Sequence, residues 1–178
     1  DGETMARASV LFLHPSEQPP GNVWRSDRVL PIPPLDQVPP SESPRPPFFL
    51  SDAGWDDNFG AHQNAKHKTV WNTMPLIVAG EPSSGFSAAA AVADSTTLVT
   101  NWGDGGINFI NADITLTLSR RPIGTEIGLT ALDHTSYDGV SVGSALIYDR
   151  AGALGTSVVT AVANAKRTVD FTTAEIPG

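Results

Sequence analysis

An α+β fold, one antiparallel sheet wrapped around a single long helix, is what this sequence predicts, on three observations. Residues 85–99, GFSAAAAVADSTTLV, form a run of small apolar residues behind helix-start signals. Four strand patterns follow in quick succession between residues 107 and 168. The turns between them are short, which implies antiparallel neighbours, and that order lets the sheet curl around the helix.

Residues 1–13, DGETMARASVLFL, open on an Asp-Gly turn and run into a strand pattern. The same order recurs at 149–163, DRAGALGTSVVTAVA, and setting Gly2 against Gly152 places Ala6, Ala8 and Val10 opposite Thr156, Val158 and Thr160. This reads as an internal repeat, so that residues 1–14 are the last strand of a truncated first copy. Two unrelated strands after common turns are the alternative. Eleven of the fifteen prolines lie between residues 15 and 47. Such density forbids helix and inner strand, so residues 15–60 read as an extended linker crossing the surface, with a ligand for a proline-binding module as a second use. Residues 61–178 are then the domain proper.

Within it, AHQNAKHKTVWNTMPLI from residue 61 reads as a strand with one wet face, limited by Pro75 to an edge or an end. Pro82 with Ser83 or Ser84 starts the helix, whose residues are apolar on nearly every side and therefore predict burial. NWGDGG at 101–106 stops it. Strands are predicted around 107–119, 125–136, 139–149 and 154–168, with Ile110, Ala112, Ile114, Leu116 and Leu118 sharing one face, and Val140, Val142, Leu146 and Tyr148 another.

A net charge of −8 removes the attraction that supplies most nucleic-acid affinity, so DNA and RNA are discounted as partners. No apolar stretch reaches the ~20 residues of a membrane span, and no signal-peptide order is present, so a soluble, cytoplasmic protein is expected. Zero cysteines exclude disulfides and thiolate metal sites.

Several motifs suggest chemistry and fail on context. GVSVG at 139–143 matches the G-x-S-x-G nucleophile elbow, but Ser141 sits where strand alternation continues straight through. All four histidines, His14, His62, His67 and His134, precede Ser141, whereas an α/β-hydrolase needs its histidine after the serine. His62 and His67, five apart in a strand, would face opposite ways and share no metal. Asp133 and His134 likewise point to opposite faces. Lys66, His67 and Lys68 read as a wet edge, with a role in holding phosphates as the alternative. Trp55, Trp71 and Trp102 read as packing anchors.

Three segments carry a resemblance: INADITLTLSRRPIG, DGVSVGSALIYDRAGALG and the Ala-rich helix ending near VADSTTLV. Their order resembles the second repeat of the double hot-dog acyl-CoA thioesterases, the acyl-CoA thioesterase II family, over residues 62–168. Residues 1–13 resemble the end of that family's first repeat. The resemblance implies a hot-dog fold, acyl-CoA as substrate, a place in lipid metabolism, no metal or organic cofactor, and a second hot-dog repeat as partner. That partner would be a missing N-terminal half, another chain or a second copy in an oligomer. It also implies a water held by an Asp on the central helix, a Thr, Ser or Asn early in the next strand, and a Gln on the last strand. These positions fall on Asp94, Asn111 and Thr160, the last a departure from Gln.

Asp94 shares a helix side with Ala90 and Phe86, and a dry site there would strengthen it as a base. Capping a local turn or accepting bonds from a strand is its alternative. Asn111 groups with the polar face of its strand, so either a bulge turns it inward or it is a surface Asn. Thr160 alternates with Leu154, Val158 and Val162 and is expected to point to the core, where its short hydroxyl could miss the water. The resulting function is hydrolysis of an acyl-CoA thioester by water near Asp94. The alternative is a catalytically inactive hot-dog module that binds acyl groups or serves in assembly.

Overall fold

The computed structural model describes residues 7–41, 43–74 and 80–173. In chain order these hold β1 (Arg45–Ser51), β2 (Gly54–Asp56), a 3-10 turn (Phe59–His62), β3 (Thr69–Thr73) and α1 (Gly85–Val92). A second 3-10 turn (Ala93–Ser95) leads into α2 (Thr96–Thr100), followed by the small hairpin β4 (Trp102–Gly103) and β5 (Gly106–Ile107). The long strands β6 (Phe109–Leu118), β7 (Glu126–Tyr137), β8 (Val140–Asp149) and β9 (Gly152–Ala163) complete the domain. One seven-stranded sheet runs β2-β1-β3-β7-β8-β9-β6, with every neighbouring pair antiparallel. The α1–α2 segment packs across one face of it, which is the hot-dog arrangement.

The helix starts where the sequence says. Ser84 accepts from the Ser87 amide at 3.0 Å, and the Ser87 hydroxyl accepts from the Ser84 amide at 2.9 Å, so two otherwise orphaned donors are satisfied. Ala88, Ala89 and Val92 then face the sheet, fully buried against Ile127, Leu129, Ala145, Ile147 and Leu154. The strand side of that contact is built small. A side chain at Gly143 would occupy the place of Thr100, and its inward neighbours on β8 are Ser141 and Ala145. Thr96 donates to Ser157 Oγ of β9 at 2.6 Å, which satisfies the helix hydroxyl in the middle of the core.

The opposite helix side is open. Phe86, Ala90 and Asp94 are exposed, so the all-round burial expected from composition is corrected: alanine at 90 fits an exposed face as readily as a core.

Among the described residues the sheet departs from simple pairing at four register shifts, in the β1–β3, β6–β9, β7–β8 and β8–β9 ladders. On β6 the register shifts between Asn111 and Asp113, so Asn111 faces inward before the bulge, while Ile114, Leu116 and Leu118 do so after it. Ile110 is left 53% exposed, which corrects its grouping with the other three. On β8 the set Val140, Val142, Leu146 and Tyr148 does share a face, but it is the face away from the helix. On β9 the ladder steps from Ile147↔Gly155 to Tyr148↔Ala153, and the inward set beyond that step is Ser157, Val159 and Ala161. Strand β9 ends at Ala163 rather than 168 and gives way to a 3-10 turn (Ala165–Arg167).

Two readings of the N-terminal region change. Residues 7–14 are exposed and pair with no strand; a strand needs a ladder partner, and none of the described residues supplies one. The part of that reading on residues 1–6 lies outside the described residues. The Pro-rich segment is not linker throughout, because β1 and β2, inside the expected 15–60 span, are strands of the main sheet. β1 tolerates Pro46 and Pro47 where its pairing with β3 is interrupted between Arg45 and Phe48. β3 lies between β1 and β7 with all five residues buried, so it has no wet face. The constraint from Pro75 lies outside the described residues.

The two signature turns are tied together by charge. Asp149, at the end of β8, is fully buried and grips Arg120 with both carboxylate oxygens, at 2.6 and 2.9 Å. It also accepts the amides of Ile123 and Ala151. Burial works to raise its pKa, but the Arg120 hydrogen bonds and the two amides outweigh it and hold the carboxyl below its ordinary value. Asp149→Asn leaves Arg120 without its counterion and is expected to cost about 3 kcal/mol in a chemical denaturation curve. With the folded-state pKa depressed, the clamp contributes fully above about pH 4 and is lost as pH falls through the lowered value. Acid titration of the wild type followed by thermal melting therefore shows a loss that Asp149→Asn lacks. Gly143→Val, which forces Thr100 and the helix away from the sheet, is expected to lower stability by about 1–3 kcal/mol in the same assay.

Candidate active site

Asp94 sits on the 3-10 turn that interrupts the helix between α1 and α2, and 3-10 geometry inside a longer helix is a frequent mark of functional positions. Asn111 lies beneath it on the edge strand β6, turned inward by the bulge at Ala112. Its amide Nδ2 donates to Asp94 Oδ1 at 3.0 Å. Its other amide atom, Oδ1, is buried and has no hydrogen-bond partner among the described residues. The pair thus presents a carboxylate and a buried, unused carbonyl acceptor side by side, the acceptor set that the two protons of one water require. Asp94 itself is exposed, so the dry surroundings expected for it are not provided by the described part of this chain.

Thr160 does not join them. It is half-buried on the face away from the helix, with Asp113 and Val142 as its ladder partners. The step in the β9 ladder reverses the alternation counted from Leu154, which corrects the expectation that Thr160 points to the core. At the level of Asn111 the inward residue on β9 is Ala161, and on β8 it is Ser141.

A second polar cluster, not foreseen in the sequence, closes the C-terminal end of the helix. The Ser141 hydroxyl donates to Asn101 Oδ1 at 2.9 Å, and His134 Nε2 lies 3.2 Å from the same oxygen. Asn101 Nδ2 donates back to Thr97 Oγ1 at 3.0 Å. Ser141 is therefore a buried hydrogen-bonded strand residue, and the nucleophile-elbow match fails on structure as it does on context. Next to this cluster a cavity of about 500 Å³ is lined by Asn101, Trp102, Asn108, Phe109, His67 and His134. Nothing in the sequence announces it, because Asn101, Ser141 and His134 meet only when α2, β7 and β8 converge.

The basic cluster is split. Lys66 and His67 are exposed, whereas Lys68 is buried, donating to the carbonyls of Asn64, Lys66 and Trp102 and lying under the Trp102 ring. Burial pushes its pKa down to about 8, against the pull of Asp52 and Asp104. It is a structural strut for the β4–β5 hairpin, not a wet edge. His62 is buried on its 3-10 turn against Ser51 Oγ, 2.9 Å away, so it does not lie on a strand with His67. Trp71 and Trp102 are buried packing anchors as expected.

A family model described as the acyl-CoA thioesterase C-terminal domain matches residues 29–163. No curated protein and no solved structure matches the chain. No helix among the described residues is long and apolar enough to cross a membrane.

The orientation of Thr160 has a measurable consequence. Introducing by Thr160→Gln the amide that the sequence resemblance implies is expected to leave any thioester turnover within about twofold of the wild type, since the new side chain projects from the outer face; a rise of tenfold or more would show that β9 presents this residue to the site.

Proposed function

We propose that the chain hydrolyses acyl-CoA thioesters with a water held between Asp94 and Asn111, on the premise that it belongs to the acyl-CoA thioesterase C-terminal domain family. The observation that carries the proposal is the 3.0 Å bond from Asn111 Nδ2 to Asp94 beside the buried, unpartnered Asn111 Oδ1. In the proposed step the water gives one hydrogen bond to the carboxylate and the other to Asn111 Oδ1, which aims its lone pair at the thioester carbonyl. Asp94 takes the proton as the C–O bond forms. The tetrahedral intermediate then collapses with loss of the thiolate, which receives that proton. Water is the only co-reactant.

An exposed carboxylate is a weak base, so the reading also requires a cover. Phe86, Ala90 and Asp94 form an exposed helix stripe next to β6, with the Phe12 ring resting against Phe86 at 5.8 Å between centres, and the outer edge of β6 is unpaired among the described residues. A second hot-dog unit docked there would exclude solvent from the carboxylate. A second reading, an acyl-binding or assembly module without activity, draws on Thr160, which stands where the family carries Gln and faces away from the pair.

Turnover of acyl-CoA substrates of graded length separates the two. Asp94→Asn is expected to lower kcat by at least about 100-fold, and Asn111→Ala by about 10-fold or more, with acyl-CoA binding retained. Full activity in Asp94→Asn would overturn the assignment. Acyl-CoA binding with no turnover by the wild type would establish the module instead.

A further inference from the structure

The surface beside Asp94 changes character at that residue. Strand β6 runs against the direction of the helix: a side chain at Gly85 would strike Pro122 and Gly124 just beyond the strand, Asp94 meets Asn111, and Asn101 and Phe109 border one cavity. Towards the helix N-terminus this side is apolar. Ala90 and Phe86 precede Asp94 at four-residue steps, both exposed, and the inward residues of β6 there are Ile114, Leu116 and Leu118, all half-buried. The Phe12 ring rests on Phe86 at 5.8 Å between centres, so aromatic surface roofs the far end.

Towards the C-terminus the same helix side is polar. It carries Thr97 and Asn101, bonded to each other at 3.0 Å, and ends in the cavity of about 500 Å³. Two histidines of its wall set Nε2 against carbonyl oxygens, His134 on Asn101 Oδ1 at 3.2 Å and His67 on Ala131 at 2.9 Å. A carbonyl oxygen only accepts, so both rings carry the proton on Nε2 and keep Nδ1 as an acceptor. Lys66 adds an ammonium, and Asp104 and Asp133 border the space as exposed carboxylates. Such a lining suits a ligand portion rich in hydrogen-bonding groups, not hydrocarbon.

An acyl-CoA is divided in the same way, with hydrocarbon on one side of its thioester and an amide-bearing arm on the other. We propose that the acyl chain lies along Ala90 and Phe86 towards Phe12 while the amide-bearing arm enters the polar cavity. The distance sets the substrate class: eight residues of helix from Asp94 to Phe86 span ~12 Å, the reach of a straight acyl chain of about ten carbons. Laid the other way, the arm's amides would meet Ala90, Phe86 and Leu116 without partners, and the alkyl chain would cover Asn101 and His134 without replacing their contacts with water. The inference rests on the hydrolytic reading for the place of the thioester carbonyl, at Asp94 and Asn111.

The test reads binding, so it needs no turnover. Non-hydrolysable ketone analogues of straight-chain acyl-CoAs, from butanoyl to tetradecanoyl, are titrated calorimetrically into the full chain. Affinity is expected to rise about twofold per methylene, as for partial burial, giving about 50-fold between butanoyl and decanoyl, and to level off beyond decanoyl. Phe86→Ala is expected to cut the decanoyl-to-butanoyl ratio at least fivefold. His134→Ala is expected to weaken both analogues and keep their ratio within twofold. No binding, a flat profile in the wild type, an unchanged ratio in Phe86→Ala, or a ratio that falls in His134→Ala overturns the proposal. A cooperative thermal melt is required of each variant; where one fails, Phe12→Ala replaces Phe86→Ala and His67→Ala replaces His134→Ala, with the same expected results. Turnover of the matching thioesters is measured separately: this binding profile without hydrolysis upholds the binding mode and removes the hydrolytic reading, and hydrolysis with a flat profile does the reverse.

Discussion

The close approach of an alanine-rich helix to a strand without side-chain bulk is the constraint on which the rest of the structure depends. Thr100 lies where a Cβ at residue 143 would be, and Ala88, Ala89 and Val92 bury completely against the sheet. Such an approach requires small residues on both partners, and once it is made the helix has little freedom to slide or rotate. Its rotation then decides which residues remain outside: Phe86, Ala90 and Asp94. The carboxylate reaches Asn111 because the helix is fixed in depth by Gly143 and in rotation by the bond from Thr96 to Ser157. The site is a consequence of the packing.

Polar pairs hold the curled sheet closed at its ends. The buried Asp149 joins the turn before β7 to the turn after β8 through Arg120, so the Arg-Pro and Asp-Arg-Ala-Gly motifs are two halves of one clamp. At the helix C-terminus Asn101 gathers Ser141 and His134. Glu126 does the same on the outer face for Arg45 and Arg150, at 3.0 and 2.9 Å. Each of these joins segments far apart in the chain, which is why none could be assigned from local pattern.

What the sequence made legible follows from what it encodes locally. The Ser84 cap, the alanine helix, the Asp138-Gly139 hairpin turn with both residues at positive φ and the four long antiparallel strands are near-neighbour effects, and all appear. Facing is a different matter. Counting by two along a strand assigns every residue correctly until one extra residue enters the ladder, and β6, β7 and β9 pairings each contain such a step. That is why Ile110 and Thr160 turned out on the other face, while Asn111 followed the inward of the two placements open to it. The proline count was informative about local conformation and misleading about role: residues 30–38 are neither helix nor strand, yet Val38 is fully buried. Burial of a segment outside the sheet depends on the aromatic surface it meets, and that surface is contributed by residues up to 117 positions away.

The most direct measurement of the central claim is a crystal structure with a non-hydrolysable ketone analogue of an acyl-CoA. The ketone carbonyl is expected beside Asp94 and Asn111, with a water in contact with both side chains and about 3–3.5 Å from the carbonyl carbon. A carbonyl bound elsewhere, with no water bridging Asp94 and Asn111, would contradict it.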